Sequence, residues 1–186
     1  MEDLNEELFD SIENNNIIKF ISILETGINV DFLYYEYKIG FITPLIKAIL
    51  EDKTIFIREL LKYGANPNIV TDIKPALILA LYNHNIDNFK LLLINGANPF
   101  LKDNNGDTAY DIAINSRHNF TEEIELLKDA MIRRIQSRSR RYLTRKLVKT
   151  NRRLALSKHM LNNNSTYGNP MSYMDYDTML ELSRYL

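Results

Sequence analysis

The densest group of like-charged side chains in this sequence is formed by the basic residues of segment 132–160. This segment has 11 Lys or Arg, no acidic residue, and neither Gly nor Pro. A cationic segment without helix breakers is expected to form a helix and to attract an anionic partner. Ile124, Leu127, Met131 and Ile135 follow one another at spacings of three and four, which predicts that this helix continues from the segment before it.

The sequence contains no combination of side chains typical of an active site or a metal centre. It has no Cys, which excludes disulfides, thiolate zinc sites and cysteine nucleophiles. Neither a glycine-rich phosphate loop nor a Ser-centred nucleophile elbow occurs, and His84, His118 and His159 are not spaced as metal ligands. We therefore expect a protein that is not an enzyme and that binds no cofactor and no metal.

Length and composition predict one ordinary domain with appendages. The chain has 186 residues, of which 45% are hydrophobic and 25% charged, close to the usual globular balance. No apolar run reaches the roughly 18 residues that a membrane span needs, and the acidic start MEDLNEELFDS lacks the layout of a signal peptide. We expect an intracellular monomer, cytoplasmic or nuclear, without a membrane partner.

The formal net charge of -1 conceals two regions of opposite charge. Residues 1–131 have 11 basic and 21 acidic side chains, a balance of -10, whereas residues 132–186 have 12 and 3, a balance of +9. The sequence thus predicts an acidic body followed by a basic tail.

A repeat of 32 residues organises the acidic body. Gly-Ala-Asn-Pro at 64–67 recurs at 96–99, and each copy follows a Leu-Leu pair, at 60–61 and at 92–93. Repeats of this length typically stack into solenoids, because one unit cannot bury its apolar face alone.

Each repeat is predicted to contain two short helices and a returning loop. In one copy, Thr43 is a capping residue and Pro44 takes the first helical position, where its missing N–H does no harm. The second helix is predicted over 54–62, and Gly64 is expected to end it with a positive φ.

These residues resemble ankyrin repeats, whose pattern has Thr-Pro-Leu-His at the start of the first helix and Leu-Leu-x-x-Gly-Ala-Asp/Asn after the second. The chain departs from that pattern at its His position and in the third copy, where Pro75 and Ala76 replace Thr-Pro. The His position is held by Ile46, Ile78 and Asp111. The resemblance covers four repeats, near 5–36, 37–70, 71–102 and 103–131.

The resemblance implies an all-α solenoid of helix pairs over residues 5–131, which binds an unidentified protein partner through its loops and inner helices. The loop positions that it assigns are Ile42, Asp72, Lys74, Asn104, Asn105 and Asp107. The inner-helix positions are Leu50, Glu51, Tyr82, Asn83 and Asn115.

The many Asn and Ile residues, 21 and 22 of the 186, indicate an AT-rich genome. The composition is similar to that of ankyrin proteins of large AT-rich DNA viruses, which act in a host cell.

The first repeat has an overlong link to the second. It spans Phe32 to Lys38 and contains four aromatic residues. Two interpretations remain open, since these aromatics could form an exposed contact patch or close over the end of the stack.

Within the basic extension, predicted over 132–161, one stretch is similar to the IQ motif of calmodulin-binding helices. The positions that carry this resemblance are Ile135, Gln136, Arg140, Arg141, Arg145 and Val148, with Arg141 where the motif has Gly. It implies that Ile135, Leu143 and Val148 enter the hydrophobic groove of a calmodulin-like protein. Two alternatives stay open: binding of nucleic acid with a nuclear role, and pairing of the basic helix with the acidic body.

Two segments are predicted after the basic extension. An Asn-rich stretch over 162–170 has the composition of a linker, and residues 171–186 have the pattern of a short amphipathic helix.

Overall fold

The computed structural model describes residues 4–163, with side chains as far as residue 150 and at Arg152. The elements of this part are α1 (Leu4–Glu13), α2 (Ile17–Leu24), β1 (Tyr34–Glu36), β2 (Gly40–Ile42), α3 (Pro44–Leu50), α4 (Thr54–Lys62), α5 (Ala76–Tyr82), α6 (Ile86–Ile94), α7 (Ala109–Asn115) and α8 (Thr121–Asn163). Asn162 and Asn163, the first two residues of the predicted linker, are still part of α8. The rest of the linker and the predicted helix over 171–186 lie outside the described residues. The chain divides into two units, Met1–Arg133 and Arg134–Leu186.

The first helix of each pair is an inner helix; α3 and α7 begin after a Thr whose side chain caps them, whereas α5 begins after Pro75 without a side-chain cap. Thr43 Oγ1 accepts a hydrogen bond from the Ile46 amide at 3.3 Å, and Pro44 is the first residue of α3, as predicted. At α7, Thr108 and Asp111 form a capping box in which each side chain accepts from the other's backbone N–H, at 3.2 and 2.9 Å. Asp111 Oδ2 thus accepts from both the amide and the hydroxyl of Thr108, whereas the equivalent residues of α3 and α5, Ile46 and Ile78, are apolar and buried.

In each of the first three helix pairs, the turn between the two helices contains a residue with a left-handed backbone. These are Asn15, Asp52 and His84, with φ values of 56°, 53° and 54°. Asn, Asp and His adopt this region more readily than most residues. After the second helix of a pair, the residue with a positive φ is a glycine, Gly64 (φ 90°) or Gly96 (φ 86°). The predicted positive φ of Gly64 is therefore confirmed.

The helix pairs stack around a shared hydrophobic core. The first helices form one layer, in which α1 packs on α3, α3 on α5 and α5 on α7, while α4 packs on α6 in the second layer. Phe20 of α2 and Phe56 of α4 meet edge to face, with ring centroids 4.7 Å apart. Leu60 and Leu92, one from each Leu-Leu pair of the repeat, are fully buried. The core is therefore built between neighbours, as a solenoid requires.

Polar side chains also tie the loops of neighbouring pairs together. Asp31 Oδ1 accepts a hydrogen bond from the Asn66 amide at 2.8 Å, and Asn68 Oδ1 accepts one from the Asn98 amide at 2.6 Å. Asn66 and Asn98 are the Asn residues of the two Gly-Ala-Asn-Pro copies. The repeat thus places a free backbone N–H at each junction, and the preceding loop supplies its acceptor.

A hairpin replaces the overlong link between the first two helix pairs. Its strands are antiparallel, with Tyr34 opposite Ile42 and Tyr35 opposite Phe41. Tyr34 stacks on Phe9 of α1 at 4.4 Å between centroids, whereas Tyr35 and Phe41 face outward and meet at 5.4 Å. Both interpretations of the link therefore hold in part, because alternate residues of one strand face opposite sides.

The last helix, α8, is 43 residues long and runs through the predicted boundary between residues 131 and 132. Its first turns belong to the stack, since Leu127 is fully buried. In the part of the chain that the structure describes, no helix has the length and apolarity to cross a membrane.

Candidate functional site

Two of the six predicted loop positions hold the hairpin in place. Ile42 is fully buried, because the register of β2 turns its side chain towards the core. It is therefore not available to a partner, which corrects its assignment as a loop contact. Asp72 Oδ2 accepts a hydrogen bond from the Phe41 amide at 2.8 Å and lies against Gly40.

Lys74 forms an ion pair between two consecutive loops. Its Nζ lies 2.7 Å from Asp103 Oδ2 and 5.5 Å from the centre of the Tyr82 ring. The hydrogen bond to Asp103 raises the pKa of Lys74, and the same bond, together with the amides of Asp107 and Asn105, lowers the pKa of Asp103. Lys74 thus fixes a neighbouring loop as well as facing solvent.

Asp103 organises the loop that contains the other three predicted positions, Asn104, Asn105 and Asp107. These three residues are exposed. The buried Asp103 accepts hydrogen bonds from the amides of Asn105 and Asp107, at 2.9 and 3.1 Å. Asp103 was not among the residues assigned from the sequence, although an Asp that opens an Asn-Asn-Gly turn is the expected acceptor for such amides.

Of the five predicted inner-helix positions, three have exposed side chains and two are bonded to other residues of the stack. Leu50, Tyr82 and Asn115 are the last residues of α3, α5 and α7, and all three are exposed, the first two by 37% and 47%. Glu51 is paired with lysines, and the side-chain amide of Asn83 donates to the Ile49 carbonyl of the preceding repeat. A partner that approaches the ends of these helices would meet the first three directly. We call Leu50, Tyr82 and Asn115 the inner-helix row.

A buried lysine near this row was not foreseen from the sequence. Lys47 of α3 is almost fully buried, and its Nζ lies 3.0 Å from Glu36, 3.1 Å from Glu51 and 4.0 Å from Glu13. Burial disfavours the charged amine, but the hydrogen bonds to Glu36 and Glu51 outweigh it and raise the pKa of Lys47. The cluster holds the hairpin, α1 and the end of α3 in a fixed arrangement.

The outward face of the hairpin is an exposed aromatic surface. Tyr35 and Phe41 are 60% and 49% exposed, and Tyr37 and Ile39 extend this surface towards the hairpin tip. Lys38 Nζ lies 5.4 Å from the centre of the Tyr37 ring. Exposed aromatic residues on a fixed support are typical of protein interfaces.

The IQ-like stretch lies in the second unit, within α8. Ile135, Leu143 and Val148 are exposed there, as are Gln136 and the basic positions Arg140, Arg141 and Arg145. At about 100° per residue, Ile135 and Leu143 share one side of the helix and Val148 lies on the other. A protein that contacted all three would have to surround the helix.

Two histidines that are distant in sequence lie side by side in the first unit. The ring centroids of His84 and His118 are 4.8 Å apart, and the His84 ring is parallel to that of Phe120. The 34 positions between them in the sequence gave no indication of this contact. Among the described residues, no group of three or more His, Cys, Asp or Glu is placed to hold a metal ion.

Comparison with known proteins identifies the repeats. A family model described as ankyrin repeats (3 copies) matches residues 8–103. No curated protein matches the chain at a significant level. The matched range runs from within α1 to the loop after α6 and so covers most of the first helix pair and all of the next two. Since it spans just over half of the sequence, the chain belongs to the ankyrin-repeat family.

Proposed function

We propose that this protein is a non-enzymatic interaction module whose ankyrin stack binds a partner protein through the inner-helix row and the adjoining loops. Ankyrin repeats are generally modules of this kind. The observation that carries the proposal is the inner-helix row itself, in which three successive inner helices end in exposed side chains. The partner contacts that we assign are Leu50, Tyr82, Asn115, Asn104, Asn105 and Asp107.

The loops beside the row support this assignment because they are held in position before any partner arrives. Lys74 and Asp103 bridge two loops, and Asp103 also fixes the backbone of its own turn. A surface that is ordered in advance loses less conformational entropy on binding. The hairpin aromatics Tyr35 and Phe41 are fixed in the same way and extend the surface that we assign.

We further assign a fourth repeat to residues 103–131, after the three copies that the family model covers. Its support is the capping box at Thr108 and the burial of Ala113 and Leu127, which give α7 and the start of α8 the contacts of a stacked pair. The basic helix that follows is, on this proposal, an extension outside the repeats. The proposed setting is a cell interior, with the protein as a monomer.

The test compares two double variants of the full chain in quantitative capture from cell lysate. Leu50→Ala with Tyr82→Ala removes exposed side chains from the inner-helix row. Ile55→Ala with Ile94→Ala removes side chains that are even more exposed, by 64% and 82%, from the second helices α4 and α6. We expect the first pair to lose a partner that the second pair and the parent retain. Equal retention by all three proteins would contradict the proposal.

The second candidate function is binding of a calmodulin-like protein by the basic helix. It is supported by the exposure of Ile135, Gln136 and Leu143 on a helix whose described residues after Asp129 include no acid. A two-lobed protein can surround a helix, which suits the position of Val148 on the opposite side.

Calorimetry of the full chain with calmodulin, in calcium and in chelator, tests this candidate. Gln136→Ala should weaken binding by about 0.5–1.5 kcal/mol through loss of one hydrogen bond, and Ile135→Ala should weaken it more. Affinity for duplex DNA that falls steeply with salt, without calmodulin binding, would instead favour the nucleic-acid alternative. Variants that bind calmodulin as well as the parent does would mean that the IQ-like stretch is not the site.

A further inference from the structure

The histidine pair joins two helix pairs of the stack. His84 lies in the turn between α5 and α6, and His118 lies in the connection from α7 to α8. Their rings are inclined by 61°, and both residues are exposed. They are separated by 34 positions in sequence, so no local motif reveals the pair.

Both rings are positioned by neighbouring structure. His84 holds a left-handed backbone, with φ 54°, and its amide donates to the Leu81 carbonyl at 3.2 Å. Its ring lies parallel to that of the buried Phe120, with centroids 5.1 Å apart and an angle of 5°. The amide of His118 donates to Ser116 Oγ at 3.1 Å. The pair is therefore formed before any ligand binds.

The separation of the rings matches joint coordination of one metal ion. A metal–nitrogen bond is about 2.0–2.1 Å, and a ring nitrogen lies about 1.1 Å from its own ring centre, so two imidazoles on one ion have centroids about 4.5–5.2 Å apart at bond angles of about 90–110°. The observed 4.8 Å lies within this range, which edge-to-face packing of two rings also gives, so copper binding itself is the deciding measurement. Since both residues are exposed, water can complete the coordination.

The geometry points to a binding site for a divalent late transition-metal ion at His84 and His118. Copper(II) is expected to bind most tightly, because affinity for nitrogen ligands rises along the first-row series to copper and falls at zinc. The ion would connect the turn between α5 and α6 to the connection before α8. This site is separate from the inner-helix row, so its test does not depend on the proposed partner.

The experiment titrates the full chain with copper(II), nickel(II) and zinc(II) salts, followed by calorimetry and, for copper, by electron paramagnetic resonance. We expect one copper ion per chain, with nitrogen hyperfine structure from two imidazoles. His118→Ala and His84→Asn should each weaken copper binding by at least about tenfold. Loss of a residue that only hydrogen-bonds to a metal ligand already costs about that much, and these residues would be ligands themselves. His84→Asn keeps a residue that tolerates the left-handed backbone, and circular dichroism checks that each variant is folded.

His159→Ala is the matched control, because it removes the remaining imidazole of the chain and should leave the copper affinity unchanged. Binding should also weaken on acidification, since only unprotonated imidazoles coordinate. No binding by the parent at micromolar copper would overturn the inference. So would a double variant, His84→Asn with His118→Ala, that binds copper as the parent does; in that case the two rings are in packing contact only.

Discussion

Lys47 Nζ lies 3.0 Å from Glu36 Oε1, so an inner helix of the stack directly holds the first strand of the hairpin. Glu51, at the end of the same helix, accepts a second bond from this amine at 3.1 Å. A buried ammonium group is stable only where carboxylates compensate its lost hydration. The cluster thus couples the position of the aromatic hairpin to the end of α3, where the inner-helix row begins.

Removal of the buried amine should be costly. Lys47→Ala leaves Glu36 and Glu51 without their shared partner, and we expect a loss of about 2–4 kcal/mol in the free energy of unfolding. This is less than the 3–5 kcal/mol typical of fully buried pairs, because the two carboxylates remain 24% and 25% exposed. Urea denaturation measures the loss. Arg58→Ala, a change of the same charge at an exposed position of α4, should cost under about 0.5 kcal/mol, and similar losses for both variants would contradict the role of the cluster.

Stability should fall at acidic pH, in part through Glu51. Burial alone would raise the pKa of this carboxyl, but hydrogen bonds from Lys53 and Lys47 outweigh it and hold the pKa below its ordinary value of 4.5. A group with a depressed folded pKa stabilises the protein above the unfolded pKa and loses that contribution as pH falls through the folded one. Glu51→Gln should therefore be less stable than the parent at pH 7, by about 1 kcal/mol for the weakened bonds, and the difference should shrink below about pH 4. Urea midpoints measure the difference, and a difference that is absent at pH 7 or does not change across this range would contradict the pairing of Glu51.

The Leu-Leu pair of the third repeat allows a matched test of the stack. Leu92 is 0% exposed and Ile94, two residues later, is 82% exposed. Leu92→Ala should cost about 2–5 kcal/mol, whereas Ile94→Ala should change stability by less than about 0.5 kcal/mol. Thermal or chemical unfolding of the two variants is sufficient, and equal losses would mean that the helix register is wrong.

Asn83 shows how the structure changes an expectation from sequence. As a solvated residue it would tolerate substitution by Ala at a cost under about 0.5 kcal/mol. Because its side chain donates to the Ile49 carbonyl of the preceding repeat, we now expect a loss of about 0.5–1.5 kcal/mol for Asn83→Ala.

Two glycines that both have a positive φ separate the cost of an unfavourable backbone from the cost of a steric clash. Gly40 has φ 103°, and a Cβ there would lie 2.7 Å from Asp72 Oδ2, whereas Gly27 has φ 78° and nothing within 4 Å of its Cβ position. Gly27→Ala should cost about 1–2 kcal/mol through its backbone alone. Gly40→Ala should cost more, since it also displaces the carboxylate that accepts from the Phe41 amide. Equal losses in denaturation experiments would show that Asp72 does not hold the hairpin.

Features encoded within one repeat could be predicted from the sequence. Thr43 and Pro44 marked the start of α3, and the bounds 54–62 for α4 and the positive φ of Gly64 were also correct. Each of these depends on the chemistry of neighbouring residues alone. The inward direction of Ile42 depends instead on which residue of β1 lies opposite it, and sequence periodicity does not specify that register for a three-residue strand.

Contacts between repeats were the part that could not be predicted. The ion pair of Lys74 with Asp103 and the contact of His84 with His118 join residues 29 and 34 positions apart. Such pairs follow from the way in which one unit stacks on the next. A single sequence shows the period of a repeat but not which side chains meet across the junction.

The most direct test of the central claim is backbone hydrogen exchange on the full chain, free and bound to its captured partner. The proposed function predicts slower exchange on binding at the carboxyl ends of α3, α5 and α7 and in the loop 103–107, with little change in α2, α4 and α6. Protection confined to α2, α4 and α6, or to the basic part of α8 alone, would contradict binding through the inner-helix row.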